Sequence, residues 1–351
     1  MAPLALLSDG DNEPGVIPQM AISELRKDPV VDRWVIIATE RSKRPHANRT
    51  TAESDRDEPC PFCAGREGDT PPEVLAYRDP STAANTPGWR VRVVPNKYPA
   101  LASMGDISQP PASAYVGLNG LGAHEVIIES PRHCLSMAEL GEGQVGEVLR
   151  AYRERLIFLE NDQRWKSILI YKNEGSAAGA TLEHVHSQLL ALPIVPREID
   201  QEWRALIAHY DATKRCLYCE MVDREREDGR RIVLETAAFI GFCPFASRFP
   251  FEICLIPKKH SPVFESVAND ELRQLAFMLR QSLQRLAGIV DPPFNYVIHS
   301  APLREPMREH YHWHLEILPR IAKIAGFELA SGYYINTVAP EIAAWQLREA
   351  L

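Results

Sequence analysis

The sequence predicts an α+β fold of two pseudo-symmetric halves, in which helices pack on an antiparallel sheet. Short apolar runs typical of strands recur along the 351 residues, and two long helical patterns interrupt them. The same landmarks also occur in the same order in both parts of the chain. Such repetition indicates an internal duplication, with each half made of strands and one crossing helix.

Four landmarks carry the repeat: a Cys-x-x-Cys pair, a strand whose Glu precedes a His by eight positions, a long helix, and a histidine-rich strand that ends at a proline. They are Cys60 with Cys63, Glu125 with His133, residues 136–161 and residues 182–193, and then Cys216 with Cys219, Glu252 with His260, residues 269–289 and residues 310–319. Further strands are predicted at residues 33–38, 89–94, 167–171 and 295–299. We therefore divide the chain into a disordered N-terminal arm (1–22), an N-terminal half (23–196) and a C-terminal half (197–351).

The composition limits the class of protein. Hydrophobic residues make up 45% and charged residues 25% of the chain, as in ordinary globular proteins. The net charge of -8 and the lack of a long basic run argue against a nucleic-acid partner. No signal-peptide pattern and no 18-residue apolar stretch occur, so we expect no membrane association and a cytoplasmic location. In that compartment cysteine pairs bind metals more often than they form disulfides.

The segment 182–193 holds the most informative polar pattern. His184, His186 and Gln188 alternate with Val185 and Ser187, so on a strand the three polar side chains share one face. Buried imidazole and amide groups are costly unless each finds a partner. The alternative interpretation is one core histidine with its hydrogen bonds satisfied and one surface histidine.

Cys60, Cys63, His133 and His184 are the candidate ligands of a first metal site. Two thiolates from a Cys-x-x-Cys turn and two distant imidazoles complete a tetrahedron, and this donor set favours zinc. A thioredoxin-like redox pair is the alternative, but neither cysteine pair is predicted to open a helix after a strand.

Cys216, Cys219 and His260 are the corresponding candidates in the second half. The fourth ligand is His310 or His312. Alignment of the two halves on Pro319 favours His310, and the parity of a strand cannot separate the two because both side chains share one face.

With His184 assigned to a metal, His186 is left as the reactive imidazole, which suits nucleophilic chemistry near neutral pH. Gln188 can donate its amide to a phosphoryl oxygen. The small residues of 173–181 allow backbone N–H groups to approach a phosphate, or merely form a tight connection. Arg41 and Arg44 can pair with phosphates, although exposed arginines are more often solvated.

Together, these residues and their spacing resemble those of a known protein family. The sequence resembles the galactose-1-phosphate uridylyltransferase branch of the histidine-triad superfamily over nearly its whole length. The motifs that carry the resemblance are Arg41-Ser42-Lys43-Arg44-Pro45, Cys60-Pro61-Phe62-Cys63, Asn96, Ser130-Pro131-Arg132-His133, residues 173–186 with Gln188, and Gly326-Phe327-Glu328. The resemblance implies a duplicated histidine-triad-like fold, and usually a homodimer.

The resemblance also implies roles and a reaction. His186 would be the nucleophile and Gln188 would hold the transferred phosphoryl group. The nucleotide and sugar-phosphate site would be lined by Arg41, Arg44, Asn96, Asn173, Gly179, Thr181, Gly326, Phe327 and Glu328. The partners would be a sugar nucleotide and a sugar 1-phosphate: His186 takes UMP from UDP-glucose and passes it to galactose 1-phosphate.

The sequence departs from the best-known family pattern, His-Pro-His-Gly-Gln, at Val185 and Ser187. Some members hold a second metal with one Glu and three His, matched here by Glu202, His299, His312 and His314. Relatives that resemble ADP-glucose phosphorylase use zinc on the cysteine set. Both sets include His312, so we prefer it to His310 and expect two zinc ions. The alternative functions are an ADP-glucose phosphorylase, which passes AMP to phosphate, and a non-catalytic zinc-stabilised nucleotide-binding protein.

Overall fold

The structure is a computed structural model that describes residues 24–31, 34–37, 60–105, 120–306 and 308–350. The predicted disordered arm lies outside these residues, as do residues 38–59 and 106–119. Within them the chain forms thirteen strands and six α-helices. The strands are β1 (Glu24–Lys27), β2 (Trp34–Ile37), β3 (Leu75–Arg78), β4 (Trp89–Pro95), β5 (Ala123–Ile128), β6 (Ser167–Glu174), β7 (His186–Leu192), β8 (Ile232–Glu235), β9 (Phe239–Phe242), β10 (Ile253–Pro257), β11 (Phe294–His299), β12 (His314–Pro319) and β13 (Tyr334–Asn336). The helices are α1 (Glu142–Glu160), α2 (Arg197–Thr213), α3 (Leu217–Asp228), α4 (Asn269–Ile289), α5 (Gly326–Ser331) and α6 (Pro340–Glu349).

Ten strands form one antiparallel sheet in the order β3-β4-β5-β7-β6-β11-β12-β10-β9-β8. The strand order of one half mirrors that of the other half about the central β6–β11 pair. Strands β6, β7, β5, β4 and β3 therefore correspond, in that order, to β11, β12, β10, β9 and β8. Helix α1 connects β5 to β6, and α4 connects β10 to β11. This arrangement confirms the predicted α+β fold with duplicated halves. A separate three-stranded sheet joins β1, β2 and β13.

The main core lies between the sheet and helices α1 and α4. The apolar residues Val145, Leu149, Tyr152 and Leu156 recur at helical spacing on α1 and are all buried. A corresponding row on α4 joins the same cluster. Each large apolar side chain removed from water stabilises the fold by about 1.5–3 kcal/mol, so this face fixes both helices on the sheet.

The predicted helix 136–161 was wrong at its start. The Ser136 hydroxyl caps a short 3-10 turn over Met137–Glu139, and Leu140 is extended. Gly141 then caps α1, which begins at Glu142. The Ser136 hydrogen bond therefore starts a separate short turn, which ends at the extended Leu140 before the α-helix starts. The predicted helix 269–289 has the bounds observed for α4.

Both histidine-rich strands are shorter than predicted. Strand β7 begins at His186, and β12 begins at His314, so His184, His310 and His312 precede the strands. The backbone N–H of Val185 donates to the Cys134 carbonyl rather than to a neighbouring strand. The prediction that His184 shares a strand face with His186 was therefore wrong, as was the same prediction for His310 and His312.

The C-terminal half contains more than strands and one crossing helix. Helices α2 and α3 begin this half, before β8, and α5 and α6 follow β12. Cys216 caps the start of α3, so this cysteine pair does open a helix, but the helix follows α2 and not a strand. Among the described residues, no helix combines the length and the hydropathy needed to cross a membrane.

Candidate active site and metal centres

The first Cys/His cluster joins three segments that are distant in sequence. Cys60 Sγ lies 3.5 Å from His184 Nδ1, and Cys63 Sγ lies 3.5 Å from His133 Nδ1 and 3.6 Å from His184 Nδ1. All four ligand atoms lie within 4.8 Å of one another. The predicted first ligand set is thus brought together by the fold.

The donor chemistry of this cluster fits a metal of the zinc type. A tetrahedral ion bound to sulfur and imidazole nitrogen separates those atoms by roughly 3.5 Å, given metal–ligand distances of about 2.3 and 2.0 Å. His184 donates its Nε2 proton to the Ser130 carbonyl at 2.8 Å, which leaves Nδ1 as a lone-pair donor. Burial lowers the pKa of His184 to about 4, so the ring is neutral. Burial and then Cys60 raise the pKa of the Cys63 thiol to about 11, and a bound cation would favour its thiolate.

The second cluster repeats this geometry. Cys219 Sγ lies 3.5 Å from His260 Nδ1 and 3.6 Å from His312 Nδ1, and Cys216 Sγ lies 3.9 Å from His312 Nδ1. His312 donates its Nε2 proton to the Pro257 carbonyl at 3.0 Å, as His184 does to Ser130. The hydrogen bond between the two thiols lowers the pKa of Cys216 and raises that of Cys219.

The structure places His312, and not His310, with the two cysteines. The His310 ring instead stacks on Tyr210 at a centroid distance of 3.8 Å. The alignment of the two halves on Pro319, which favoured His310, was therefore wrong by two residues. His312 corresponds to His184 and His314 corresponds to His186, because β12 reaches its proline in fewer residues than β7 does.

Glu202, His299 and His314 form a third cluster, which lacks the fourth member predicted from the family pattern. Their ligand atoms also lie within 4.8 Å of one another, while His312 belongs with the cysteines. His299 Nδ1 lies 3.2 Å from Glu202 and its Nε2 lies 3.3 Å from Glu316. Although burial favours the neutral ring, Glu316 and Glu202 raise the pKa of His299 to about 10. This direction of the pKa favours a charged imidazolium that donates from one ring nitrogen to Glu202 and from the other to Glu316.

His186 is the first residue of β7 and is 7% exposed. Its Nδ1–H donates to the His184 carbonyl at 2.7 Å, so the tautomer leaves a lone pair on Nε2. Burial lowers the pKa of His186, which keeps the ring neutral. Phe62, between the first two cysteines, contacts the ring edge to face at 5.3 Å. The first cluster is therefore in direct contact with His186.

Gln188 lies on the same face of β7, one alternation after His186. Its Oε1 accepts a hydrogen bond from the Tyr171 hydroxyl at 3.2 Å, and lies 2.8 Å from His124 Nε2. Asn96 Nδ2 also lies 3.2 Å from His124 Nε2. The Gln188 amide nitrogen has no hydrogen-bond partner among the described residues, so its protons are available to a ligand.

The segment 173–181 comprises the last two residues of β6 and the loop after it. Asn173 is half-buried and Thr181 is exposed. Gly179 has φ +90°, a left-handed conformation that favours glycine, and it caps a 3-10 turn over Ser176–Ala178. A Cβ at this position would lie 3.8 Å from Asn173 Nδ2. The absence of a side chain keeps the loop open beside the Asn173 amide.

Two groups of predicted ligand-binding residues have no contact with this face recorded among the described residues. Arg41 and Arg44 lie outside the described residues. Gly326, Phe327 and Glu328 lie on α5, where Glu328 accepts a hydrogen bond from the backbone of Ala325 at 3.0 Å. In the described part of the chain, no hydrogen bond links α5 to His186 or Gln188.

Sequence reasoning missed a buried network beneath His186. Lys172 donates to the His186 carbonyl at 2.9 Å and to Glu129 at 2.7 Å. Ser187, one of the two departures from the family pattern, accepts from the Tyr152 hydroxyl at 2.6 Å. A lysine in an apolar strand was the available signal, since buried charges need partners.

The fold and its clusters define a class. The chain is a duplicated α+β protein with a Cys2His2 cluster in each half and a buried histidine, His186, beside the first. Comparisons with known proteins narrow this class. Residues 16–196 match the model of the galactose-1-phosphate uridyl transferase N-terminal domain, and residues 202–349 match that of the C-terminal domain. The chain belongs to the galactose-1-phosphate uridyl transferase family.

Similar proteins carry two names. An ADP-glucose phosphorylase of Arabidopsis thaliana is 35% identical over 97% of this chain and 95% of its own. A galactose-1-phosphate uridylyltransferase of Thermotoga maritima is 28% identical over 93% and 98%. The crystal structure of an Arabidopsis ADP-glucose phosphorylase with bound ADP-glucose superposes with a TM-score of 0.79 at 34% identity, covering 93% of this chain and 98% of that one. These findings confirm the predicted family and support the predicted enzyme class, a uridylyltransferase.

Proposed function

We propose that the protein is a nucleotidyltransferase that exchanges UMP between UDP-glucose and galactose 1-phosphate through a covalent uridylyl-histidine. The observation that carries the proposal is the tautomer of His186. Its Nδ1–H is held by the His184 carbonyl, so Nε2 presents a lone pair on the same strand face as Gln188. Family members named galactose-1-phosphate uridylyltransferase support the choice of substrates.

In the first step, His186 Nε2 attacks the α-phosphorus of UDP-glucose. A nitrogen–phosphorus bond forms and the bond to the bridging oxygen breaks, so glucose 1-phosphate leaves with that electron pair. The Gln188 amide protons, which have no partner among the described residues, would hydrogen-bond a non-bridging phosphoryl oxygen.

In the second step, a phosphate oxygen of galactose 1-phosphate attacks the same phosphorus. The nitrogen–phosphorus bond breaks, UDP-galactose leaves, and His186 regains its lone pair. Two displacements keep the phosphoryl group activated without water as acceptor, and the burial of His186 supports this.

Asn96, Asn173, Gly179 and Thr181 would line the sugar-nucleotide site together with Gln188. Asn173 and Gly179 border one loop, and Asn96 lies beside the His124 ring that contacts Gln188. We assign Arg41, Arg44 and the Gly326–Glu328 turn to phosphate and sugar binding on the family resemblance alone.

We assign zinc to both Cys2His2 clusters, on Cys60, Cys63, His133 and His184 and on Cys216, Cys219, His260 and His312. Sulfur–nitrogen separations of 3.5–3.9 Å support tetrahedral coordination. With four protein ligands each, the ions would be structural and would fix the loops around β7 and β12.

We further propose a homodimer and a cytoplasmic location, with residues 23–196 and 197–351 as the two halves. None of the seven cysteines, all of which lie in the described part of the chain, forms a disulfide, which supports a reducing compartment. Cys243 and Cys254 are buried in apolar cores, and Cys134 is half-buried.

A second candidate is an ADP-glucose phosphorylase that passes AMP from ADP-glucose to inorganic phosphate. The specific observation in its favour is the 35% identity to the Arabidopsis ADP-glucose phosphorylase, against 28% to the Thermotoga uridylyltransferase. The same nucleophile and the same first step serve both functions, so the two candidates differ only in base and acceptor.

The test is incubation of the purified protein with UDP-glucose or ADP-glucose, each labelled at the α-phosphorus, followed by addition of galactose 1-phosphate or phosphate. The proposal requires label on the protein from UDP-glucose and release of UDP-galactose. Labelling by ADP-glucose alone, with release of ADP to phosphate, would establish the second candidate.

Two variants complete this test. His186→Ala must abolish the labelled adduct, whereas His209→Ala, at a helix position bonded to Glu220, must retain it. If wild-type protein binds nucleotide but is never labelled by either substrate, the protein is the non-catalytic binding module and both enzymatic candidates are excluded.

A further inference from the structure

We propose that Asn295, contributed by the C-terminal half, is a positioning residue that orients the Asn173 amide toward the phosphoryl oxygens of the sugar nucleotide. The inference rests on the proposed function, in which Asn173 and the loop after it bind phosphate. It adds a residue from the opposite half of the molecule to the control of the N-terminal site.

Asn295 and Asn173 face each other at the seam between the halves. They are register partners in the antiparallel pair of β11 and β6, and both are half-buried. Asn295 Nδ2 lies 2.8 Å from Asn173 Oδ1 and 2.8 Å from the Ala178 carbonyl oxygen. One amide nitrogen therefore reaches both the Asn173 side chain near the end of β6 and the loop that follows this strand.

The backbone contact settles the orientation of both amides. The oxygen and nitrogen of a side-chain amide are nearly alike in size, so their positions must be inferred from their partners. The Ala178 carbonyl can only accept, so Asn295 must present its NH2 group there. Its second proton then points to Asn173, which must present its oxygen in return.

The Asn173 NH2 group is consequently the free end of that side chain. It has no hydrogen-bond partner among the described residues, and it lies beside Gly179, where a Cβ would approach it to 3.8 Å. Because Gly179 has no side chain and adopts φ +90°, this approach stays open. By holding Ala178, Asn295 also fixes the turn that leads to Gly179.

Loss of Asn295 removes this orientation. The Asn173 amide can then rotate and present its oxygen, which repels a phosphoryl oxygen. We expect Asn295→Ala to slow single-turnover adduct formation by roughly ten- to a hundredfold, since hydrogen bonds to charged groups are strong. The effect should be larger on kcat than on KM, because preorganised donors act on charge that develops in the transition state.

The experiment is a double-mutant cycle on the intact protein with UDP-glucose and ADP-glucose as probes. Asn295→Ala, Asn173→Ala and the double variant are compared by the rate of His186 labelling. A positioning role predicts that Asn295→Ala has no further effect once Asn173 is removed. Asn173→Asp keeps an acceptor for Asn295 but has no donor, so it must fold normally and be as slow as Asn173→Ala or slower.

Val297→Ala is the matched control. Val297 lies two residues further along β11, is also half-buried and pairs with Tyr171, so its truncation perturbs the same strand. Its labelling rate must stay within about twofold of wild type. Additive effects in the cycle, or an unchanged rate for Asn295→Ala, overturn the inference while the proposed function stands. A wild-type protein that is never labelled overturns the proposed function and the inference with it.

Discussion

His186 has two ring nitrogens in different surroundings, and this difference makes it the candidate nucleophile. Nδ1 donates to the His184 carbonyl, while Nε2 has no protein partner among the described residues. A protonated ring would have no lone pair to offer. Because burial lowers the pKa of His186 below its ordinary value of 6.5, the reactive form persists in mildly acidic solution.

This gives the first prediction, a pH profile. The folded-state pKa is lowered, so the neutral ring is lost only when the pH falls through a value below 6.5. The single-turnover rate of adduct formation should therefore be flat from about pH 8 to 6.5 and decline at lower pH. Rates measured down to about pH 5 would check it. A midpoint at or above 6.5 would show that burial does not set the titration.

Individual site residues were predictable from the sequence where their spacing was short. His186 and Gln188 are separated by one strand alternation, and both cysteine pairs are separated by two residues. Lys172 and Asn295, in contrast, bond to residues on neighbouring strands. Which residues these are depends on the register of the sheet, and a local sequence pattern does not reveal that register.

At the scale of the element, the Cys60–Cys63 turn is more than a metal-binding loop. Phe62, inside the turn, contacts both the His184 and His186 rings, at centroid distances of 6.0 and 5.3 Å. The position of this turn therefore sets one wall beside the candidate nucleophile. In the second pair, by contrast, Cys216 caps helix α3 and Cys219 contacts His260 and His312.

The second prediction follows from this difference. Cys60→Ser should remove one equivalent of zinc, lower the melting temperature and slow labelling of His186, because Phe62 loses its fixed position. Cys216→Ser should also remove one equivalent but leave the labelling rate near that of wild type. Metal analysis and single-turnover assays measure both. Cys134→Ser, which alters a thiol outside either cluster, is the control, and equal slowing by the two ligand variants would contradict the prediction.

The third prediction concerns the link between β6 and β7. Lys172 is 1% exposed and pairs with Glu129, which is fully buried. Lys172→Met should lower the free energy of unfolding by about 3–5 kcal/mol, since it leaves a buried carboxylate without its partner. Denaturant unfolding measures the loss. In the double variant Lys172→Met with Glu129→Gln, much of the stability should return, and no recovery would argue against an uncompensated charge as the cause.

Element types were predictable from periodicity, and element ends were not. The apolar spacing of α1 and α4 predicted both helices, but the start of α1 depends on the Ser136 hydroxyl, which forms a local turn instead. The histidine strands start late because His184 and His312 bend toward cysteines that lie far away in sequence. Long-range contacts set these boundaries.

For the whole molecule, equal spacing of landmarks predicted two halves, and the mirror order of the ten strands confirms them. The residue-by-residue alignment of the two halves could not be predicted in the same way. Pro319 is not at the same distance from its histidine as Pro193, so the correspondence had to come from matching hydrogen bonds. His184 donates to the Ser130 carbonyl just after β5, and His312 donates to the Pro257 carbonyl at the end of the equivalent strand β10. His186 and His314 each follow two residues later, and each Nδ1 bonds the carbonyl of the preceding histidine.

The fourth prediction is that only one half carries out nucleotidyl transfer. His314 repeats the Nδ1 hydrogen bond of His186, at 3.2 Å from the His312 carbonyl. Its Nε2, however, faces the Tyr218 hydroxyl at 3.3 Å and Glu202 at 3.8 Å. Glu316 stands where the first half has Gln188, and a carboxylate repels the phosphoryl oxygens that an amide would bind.

Intact-mass measurement after exposure to the sugar nucleotide should therefore find one nucleotidyl group per chain. His314→Ala should keep that stoichiometry, and His186→Ala should reduce it to zero. The pair of variants is matched, because each removes the first histidine of equivalent strands, β12 and β7. Two outcomes would contradict the prediction: two nucleotidyl groups per chain, or loss of the adduct in His314→Ala protein whose fold and zinc content are intact. Either outcome would mean that the His314 imidazole reacts and that the carboxylate of Glu316 does not exclude phosphate.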